Sequence, residues 1–332
     1  MTFIVGMGRS GTTMLTNMLN LNPKVIACPE NEFVMFSLAD FKNKDFNDPK
    51  VIDEFVNLFE LKFSKTISFW KPGIRLKDSI VNLKNKSFDN VCKQVYLNYP
   101  FANNPIEQVT HIVDKNPVYS LYIKELNEIF PNSKYIILSR DYRDNILSRK
   151  KYAENSNSIY TLAESWNYYY KAIFRDVKKY NLNYYILRYE DVASKPEQTL
   201  IDLCKFLGIE FNEKMLHFQG LSKDIKNYIE QNLSEIEYTK LKTMHHNLEN
   251  KVNANRVKAY ENELTENEII ILDSICHRVG KQFNYLPIHK INHSLSFNVR
   301  LKLSQLKIIT YYSIQSFLLK LPLSIRLIIK RR

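Results

Sequence analysis

The sequence predicts an α/β fold: a three-layer α/β/α body with a central parallel sheet and a P-loop-like glycine turn, followed by a C-terminal amphipathic helical tail. Three observations carry this prediction. Short runs of β-branched and aromatic residues alternate with stretches of helical period, the pattern of parallel strands joined by crossover helices. The chain of 332 residues has 7 glycines, yet Gly6, Gly8 and Gly11 stand together just after the first such run. From Ser274 to Arg332 there are 11 Lys/Arg and no Asp or Glu, which sets the end of the chain apart in composition. Residues 1–288 therefore read as one domain and 289–332 as a basic amphipathic tail.

The elements follow in order. Thr2 to Val5 predicts a short buried strand, and Gly11 to Leu21 a helix in which Met14, Leu15, Met18 and Leu19 recur at helical spacing. Asn22 and Pro23 end it. From residue 40 to about 110, charge, Asn and aromatic residues mix without a sustained period, which predicts short helices joined by loops. Val118 to Phe130 predicts a helix stopped by Pro131, followed by the strand Lys134 to Leu138 and a helix from Tyr142 to Lys151. A longer helix from Ser158 to Tyr180 leads into the strand Asn183 to Arg188. Ser194 with Glu197, and Thr265 with Glu268, have capping-box spacing and predict helices ending near Gly208 and Gly280.

The tail has its own chemistry. Its longest uncharged run, Ile308 to Leu319, is 12 residues, short of the ~20 that span a bilayer. A basic amphipathic element lying on an anionic membrane face fits this pattern. The alternative is a helix packed on the body or on a second copy in a homodimer.

The formal net charge of +12 belongs largely to that tail, because residues 1–273 carry 36 basic and 35 acidic side chains. A nucleic-acid enzyme spreads basic residues over its working surface, so this distribution argues against such a partner. Hydrophobic residues make up 45% of the chain, which excludes wholesale disorder. Cys28, Cys92, Cys204 and Cys276 include no C-x-x-C pair, so buried free thiols are expected rather than a zinc site or a disulfide framework. Met1 is followed at once by the strand-like T-F-I-V, leaving no room for a charged and apolar leader, and a cytoplasmic body is the expectation.

Gly6 to Thr13 read G-M-G-R-S-G-T-T between a strand and a helix. Backbone N–H groups and a helix N-terminus meet there, which favours a bound phosphate or sulfate. Three readings of the glycines compete. Gly6, Gly8 and Gly11 satisfy the dinucleotide fingerprint G-x-G-x-x-G, with Glu30 near the distance of its ribose acid. Gly6 and Gly11 also open G-x-x-x-x-G-K-[ST], but Thr12 stands where the lysine that holds a γ-phosphate should be. A tight turn is the third. The cation of this loop is Arg9, followed by a Thr-Thr pair, which suits a terminal anion presented differently from that of ATP.

A second anchor is Y-I-I-L-S-R-D-Y-R-D-N-I-L-S-R. It puts Arg140 at a strand end and Ser148 two turns into the next helix, with Asp144 four residues before Ser148 on the same face. An arginine and a hydroxyl converging at a strand end can hold a second phosphate.

Four segments together resemble the sulfotransferases that use 3′-phosphoadenosine 5′-phosphosulfate (PAPS). They are F-I-V-G-M-G-R-S-G-T-T-M-L, D-K-N-P (Asp114 to Pro117), the Arg140 anchor, and L-R-Y-E-D-V with the following K-P-E-Q-T-L and F-L-G. The likeness is to the branch of tyrosylprotein and heparan-type enzymes and their bacterial relatives; it covers about residues 2 to 287, is strongest in the two anchors and is weak across 40 to 110. It implies that Arg9, Ser10, Gly11, Thr12 and Thr13 bind the 5′-phosphosulfate and that Arg140 and Ser148 bind the 3′-phosphate. Lys115 matches the lysine beside the bridging and sulfuryl oxygens. Glu30 matches the catalytic glutamate, with Glu32 the second choice. Arg256 and Lys258, in N-A-N-R-V-K-A-Y, match a late cofactor-contacting segment.

The resemblance implies an in-line displacement at sulfur, with Glu30 as general base and Lys115, Arg9 and the loop amides stabilising the charge that grows on the bridging oxygen. No metal is required. The acceptor is expected to be a hydroxyl on a glycan, a lipid-linked glycan, a lipid or a tyrosine. Two other functions remain open at this stage: a P-loop kinase-like phosphotransferase, and a catalytically inactive, membrane-attached nucleotide-binding protein.

Overall fold

All four residues of β1 (Thr2–Val5) are buried. A strand buried on both faces belongs inside a sheet with helices above and below, since successive side chains point to opposite sides. The computed structural model, which describes residues 1–28, 30–63, 75–99, 105–152, 158–217, 256–292, 294–322 and 325–326, has this arrangement. β1 pairs in parallel with β3 (His111–Lys115) and with β4 (Lys134–Ser139). β2 (Val25–Cys28) extends the sheet beside β3, and β5 (Asn183–Arg188) beside β4, giving the order β2-β3-β1-β4-β5.

The alternation along β1 divides the core. Ile4 faces Met14, Leu15, Met18 and Leu19 of α1 (Thr12–Asn20) on one side. Phe3 and Val5 face the other side, where Phe3 packs 5.7 Å from the Tyr135 ring. That second side is the larger. The described part of residues 40 to 110 consists, as expected, of short helices, α3 (Pro49–Phe63), α4 (Arg75–Val81) and α5 (Phe88–Leu97), preceded by α2 (Phe33–Phe41).

Two local expectations need correction. The helix expected over Val118 to Phe130 is a 3-10 helix (Pro117–Leu121) followed by α6 (Ile123–Ile129), with a break at Tyr122. Tertiary bonds hold the break: Tyr119 donates its hydroxyl to the Asn31 carbonyl at 3.1 Å, and Ser120 is tied to Gly6 at 2.9 Å. The Ser194 capping box is absent as well, because Ser194 donates instead to the Glu190 carbonyl at 2.7 Å within α9 (Tyr189–Ser194). α10 (Pro196–Leu207) starts on its own proline and stops, as expected, at Gly208 in a left-handed conformation.

The remaining helices match the sequence closely. α7 (Tyr142–Tyr152) and α8 (Ile159–Lys179) follow β4, and Ser158 caps α8 by accepting from the Thr161 N–H. After the short α11 (Tyr260–Glu263), α12 (Glu266–Gly280) carries the full Thr265/Glu268 capping box. All four cysteines are buried and free.

The tail forms one helix, α13 (Leu295–Lys320), capped by Ser294. It lies along α8 and reaches α2. Phe297 packs 5.5 Å from the Tyr160 ring, and Tyr312 stacks on Tyr168 at 5.1 Å. Beyond it, Arg326 donates to the Phe36 carbonyl at 2.8 Å and pairs with Asp40 at 2.5 Å. The alternative reading of the tail, a helix on the body, describes its inner face.

Candidate functional site

β3 and β4 leave β1 in opposite directions, so a crevice opens at the C-terminal end of β1, the switch point where open α/β sheets bind ligands. The glycine loop occupies this crevice. Gly6 has φ 147°, and a Cβ on it would lie 2.1 Å from the Leu138 carbonyl oxygen, so no other residue lets the loop pass β4 so closely. Gly11 enters α1 at φ 90°, where a Cβ would strike the Tyr189 ring. Arg9 also sits in the left-handed region, at φ 69°. A non-glycine residue there marks a loop whose shape is set by its surroundings.

Those surroundings are polar and buried. The Gly6 N–H donates to Ser120 Oγ at 2.9 Å and the Met7 N–H to the Tyr170 hydroxyl at 3.2 Å. Tyr170 in turn donates to the Leu138 carbonyl at 2.8 Å. Asn145 Nδ2 donates to the Gly8 carbonyl at 2.9 Å and to Ser10 Oγ at 3.0 Å. Ser120, Asn145 and Tyr170 were not singled out in the sequence. Asn145 had a signal, one position after Asp144 in the second anchor; Tyr170 stands in a run of three tyrosines and had none.

Of the loop residues expected to bind an anion, Ser10 and Thr12 are buried while Arg9, Gly11 and Thr13 are partly exposed. The Ser10 hydroxyl is committed to its neighbours, leaving its backbone N–H as its contribution to a ligand. A Cβ on Gly8 would meet nothing within 4 Å, so the space above the loop is open.

The two anchors meet. Arg9 Nε donates to Ser148 Oγ at 3.3 Å across 139 residues of sequence. One turn earlier on α7, Asp144 accepts the backbone N–H groups of Lys258 at 2.8 Å and Tyr260 at 3.0 Å. Arg140 lies 3.8 Å from Asp144, donates to the Arg256 carbonyl at 2.6 Å, and stacks 4.8 Å from the Tyr189 ring. Its Nε is buried without a hydrogen-bond partner. Burial raises the Asp144 carboxyl to about 6 against the pull of Arg140 and the two N–H groups. The segment carrying Arg256 and Lys258 is thus stitched by its backbone to the second anchor, while the Lys258 ammonium points to Glu261 at 3.7 Å.

On the other side of β1, Lys115 ends β3, level with Ile4, and is 3% exposed. Its ammonium bonds Glu30 Oε2 at 2.9 Å, and Glu30 itself is half exposed. The buried Asp114 beside it accepts from the Tyr96 hydroxyl at 2.7 Å while its Oδ1 has no partner. Burial pushes this carboxyl up to about 7, opposed by Tyr96 and Lys115. Glu32, the second candidate base, stands at the start of α2. It borders a cavity of about 280 Å³ shared with Phe36, Tyr122, Tyr169, Tyr312 and Leu319. No cluster of His, Cys, Asp and Glu able to hold a metal ion occurs among the described residues.

The crevice therefore gathers Arg9, Lys115 and Arg140 around a glycine loop and a helix N-terminus, an arrangement suited to a ligand with several anionic groups. The sequence model of the Sulfotransferase family matches residues 2–213, the stretch that builds this crevice. The chain belongs to the sulfotransferase family. Among curated proteins it is similar to the protein-tyrosine sulfotransferase A of Caenorhabditis elegans, 25% identical over 67% of this chain and 54% of the relative. It is also similar to the protein-tyrosine sulfotransferase of Drosophila melanogaster, 23% identical over 65% of this chain and 40% of the relative. This sulfotransferase thus spans about half the length of the curated relatives it matches.

Solved structures agree on the fold. The sulfotransferase domain of the Curacin biosynthetic pathway superposes with a TM-score of 0.55 at 20% identity, covering 86% of this chain and 98% of that one. The sulfotransferase domain of the olefin synthase from Synechococcus gives 0.50 at 18% identity, covering 94% of each chain.

Proposed function

We propose that this sulfotransferase moves a sulfuryl group from PAPS to an acceptor hydroxyl by in-line displacement, with Glu30 as general base. The observation that carries the reading is the pairing of Lys115 with Glu30 beside the anion loop. A buried ammonium and a half-exposed carboxylate in contact supply a cation for the bridging oxygen and a base that an acceptor can reach from solvent. The acceptor oxygen forms the new S–O bond, its proton passes to Glu30, and the bond from sulfur to the bridging oxygen breaks. Adenosine 3′,5′-bisphosphate leaves.

Arg9, the backbone N–H groups of Ser10, Gly11 and Thr12, and Thr13 would hold the 5′-phosphosulfate at the start of α1. Arg140 and Ser148 would hold the 3′-phosphate, which gives the unpartnered Arg140 Nε an acceptor. Arg256 and Lys258 would flank it. The residues present fit the co-substrate, and no metal enters the scheme. Such positioning and electrostatic stabilisation carry most of the catalysis in the related phosphoryl transfers.

The acceptor we favour is a glycan or lipid-linked glycan. The aromatic cavity that Glu32 borders supports this choice, because tyrosine faces cover the apolar faces of sugar rings while their hydroxyls bond to the rim. Incubation with labelled PAPS and fractions of a cell extract tests the reading. Label should appear in glycan or lipid fractions; label in protein alone would move the acceptor to tyrosine, and ATP-dependent phosphate transfer in place of sulfation would overturn the chemistry.

A further inference from the structure

A helix packed on a globular body ordinarily turns polar residues to the solvent. α13 does not. Its inner face carries the buried Phe297, Ser304 and Ile308. At about 100° per residue, the side chains of Leu295, Val299, Leu303, Leu306, Ile314 and Phe317 fall together on the opposite face. These six are between 49% and 81% exposed. They form an apolar strip, interrupted midway by Thr310, along most of a helix that is about 39 Å long at 1.5 Å per residue. A strip of this kind marks an interaction surface.

Charge identifies what it meets. The 26 residues of α13 include Arg300, Lys302, Lys307 and Lys320 and no acidic residue. The same angular count puts Lys302 and Lys320 along one edge of the strip, and Arg300 and Lys307 along the other. An apolar strip edged on both sides by cations complements the surface of an anionic bilayer, where the apolar side chains reach the acyl boundary and the cations the headgroups. Among the described residues no helix is long and apolar enough to cross a membrane. The strip is also held firmly in place. Tyr312 bonds Ser165 at 3.2 Å, Gln305 bonds Glu164 at 3.3 Å, and Arg326 beyond the helix clamps to α2.

We infer that the outer face of α13 is a docking surface for anionic lipid membranes, with the helix lying in the plane of the interface. The inner face of the same helix walls the cavity beside Glu32, so docking brings that cavity next to the bilayer. The inference itself does not rest on the identity of the donor or of the base.

The test is co-sedimentation of the full chain with vesicles of phosphatidylcholine, with and without phosphatidylserine. Binding is expected to the anionic vesicles, to be much weaker to the neutral ones, and to fall as salt rises. The double variant Leu303→Glu/Leu306→Glu should lose at least about tenfold in partitioning, since it places charges at the acyl boundary. Arg300→Glu/Lys307→Glu should lose at least about fivefold for each cation removed. All four positions are exposed, and an unchanged thermal midpoint verifies folding. Absence of binding to anionic vesicles overturns the inference. So does a dimer of the wild type that Leu303→Glu/Leu306→Glu splits, because a second copy would then cover the strip.

Discussion

Replacing Glu30 by Gln separates the two jobs that its contact with Lys115 suggests. The substitution keeps size and hydrogen bonding but removes the negative charge and the proton acceptor. A well-placed general base contributes about 10²–10⁴ in rate, equivalent to roughly 3–5 kcal/mol of barrier. Stability should fall as well, because the buried Lys115 ammonium loses its paired charge; the exposed carboxylate side and the hydrogen bond that the amide keeps should hold the loss below the ~3–5 kcal/mol of a broken, fully buried pair. Lys115 also keeps the adjacent Asp114 carboxyl as an electrostatic neighbour. Affinity for adenosine 3′,5′-bisphosphate should hold or improve, because a negative charge leaves the vicinity of an anion. The assay is single-turnover transfer from labelled PAPS to the fraction that accepts label, with calorimetric titration of the bisphosphate run in parallel. Turnover within threefold of wild type would refute the role of Glu30. Glu32→Gln sharpens the comparison: it lies in the cavity wall and should raise KM for the acceptor while sparing the chemical step. If Glu32→Gln abolished turnover and Glu30→Gln did not, the base would be Glu32.

Three further outcomes follow from the geometry. Arg140→Ala should weaken the bisphosphate by at least about tenfold, the value of a charge-assisted hydrogen bond; an unchanged dissociation constant removes Arg140 from the site. Gly6→Ala should destabilise the protein by about 1–3 kcal/mol in urea unfolding, because the new methyl meets the Leu138 carbonyl at a positive φ, whereas Gly8→Ala should stay within about 0.5 kcal/mol. Asp114 has its folded pKa raised to about 7, so the folded state holds its proton more tightly than the unfolded chain does. Stability from this group is therefore greatest in acid and is lost as the pH rises from near 4 to near 7, by up to roughly 4 kcal/mol. Asp114→Asn should flatten that slope in thermal unfolding, and an unaltered slope would show that Asp114 does not titrate there.

The strands and long helices were legible because their signals are local. β1, β4 and β5 are short runs of apolar, aromatic and β-branched residues whose expected bounds match the strands to within one residue. α8 and α12 carry both a cap and a stripe. The misreadings occur where another hydrogen bond, tertiary in one case and local in the other, outweighs the expected one. Val118 to Phe130 has helical spacing, but the helix breaks at Tyr122 in a segment where Tyr119 and Ser120 are held by Asn31 and Gly6. Ser194 has capping spacing, yet the preceding turn offers its hydroxyl a carbonyl first. Strands β2 and β3 were passed over: β2 is a four-residue run that begins two residues after the helix stop at Pro23, and β3 has only Ile112 and Val113 between His111 and the charged Asp114–Lys115.

The site divides along the same line. Of the residues gathered at the crevice, Arg140 was visible as a charged side chain at the end of an apolar strand and Arg9 as the cation of the glycine loop, whereas Lys115 came only from the resemblance because its own strand was not read. Residues that shape the loop, such as Ser120, Asn145 and Tyr170, satisfy buried backbone groups and look ordinary in sequence. The Arg9–Ser148 bond could not have been read from either segment alone, since it joins a loop after β1 to a helix after β4. Adjacency of β1 and β4 in the sheet brings these together. That bond bears on how the donor would be selected. If Ser148 holds a 3′-phosphate and Arg9 a 5′-phosphosulfate, the two anions share one hydrogen-bonded link, and a nucleotide lacking the 3′-phosphate forfeits ligands at both ends. ATP should therefore bind far more weakly than the loop's glycines alone would suggest. The lysine missing at Thr12 and the serine present at Ser148 push the selection the same way.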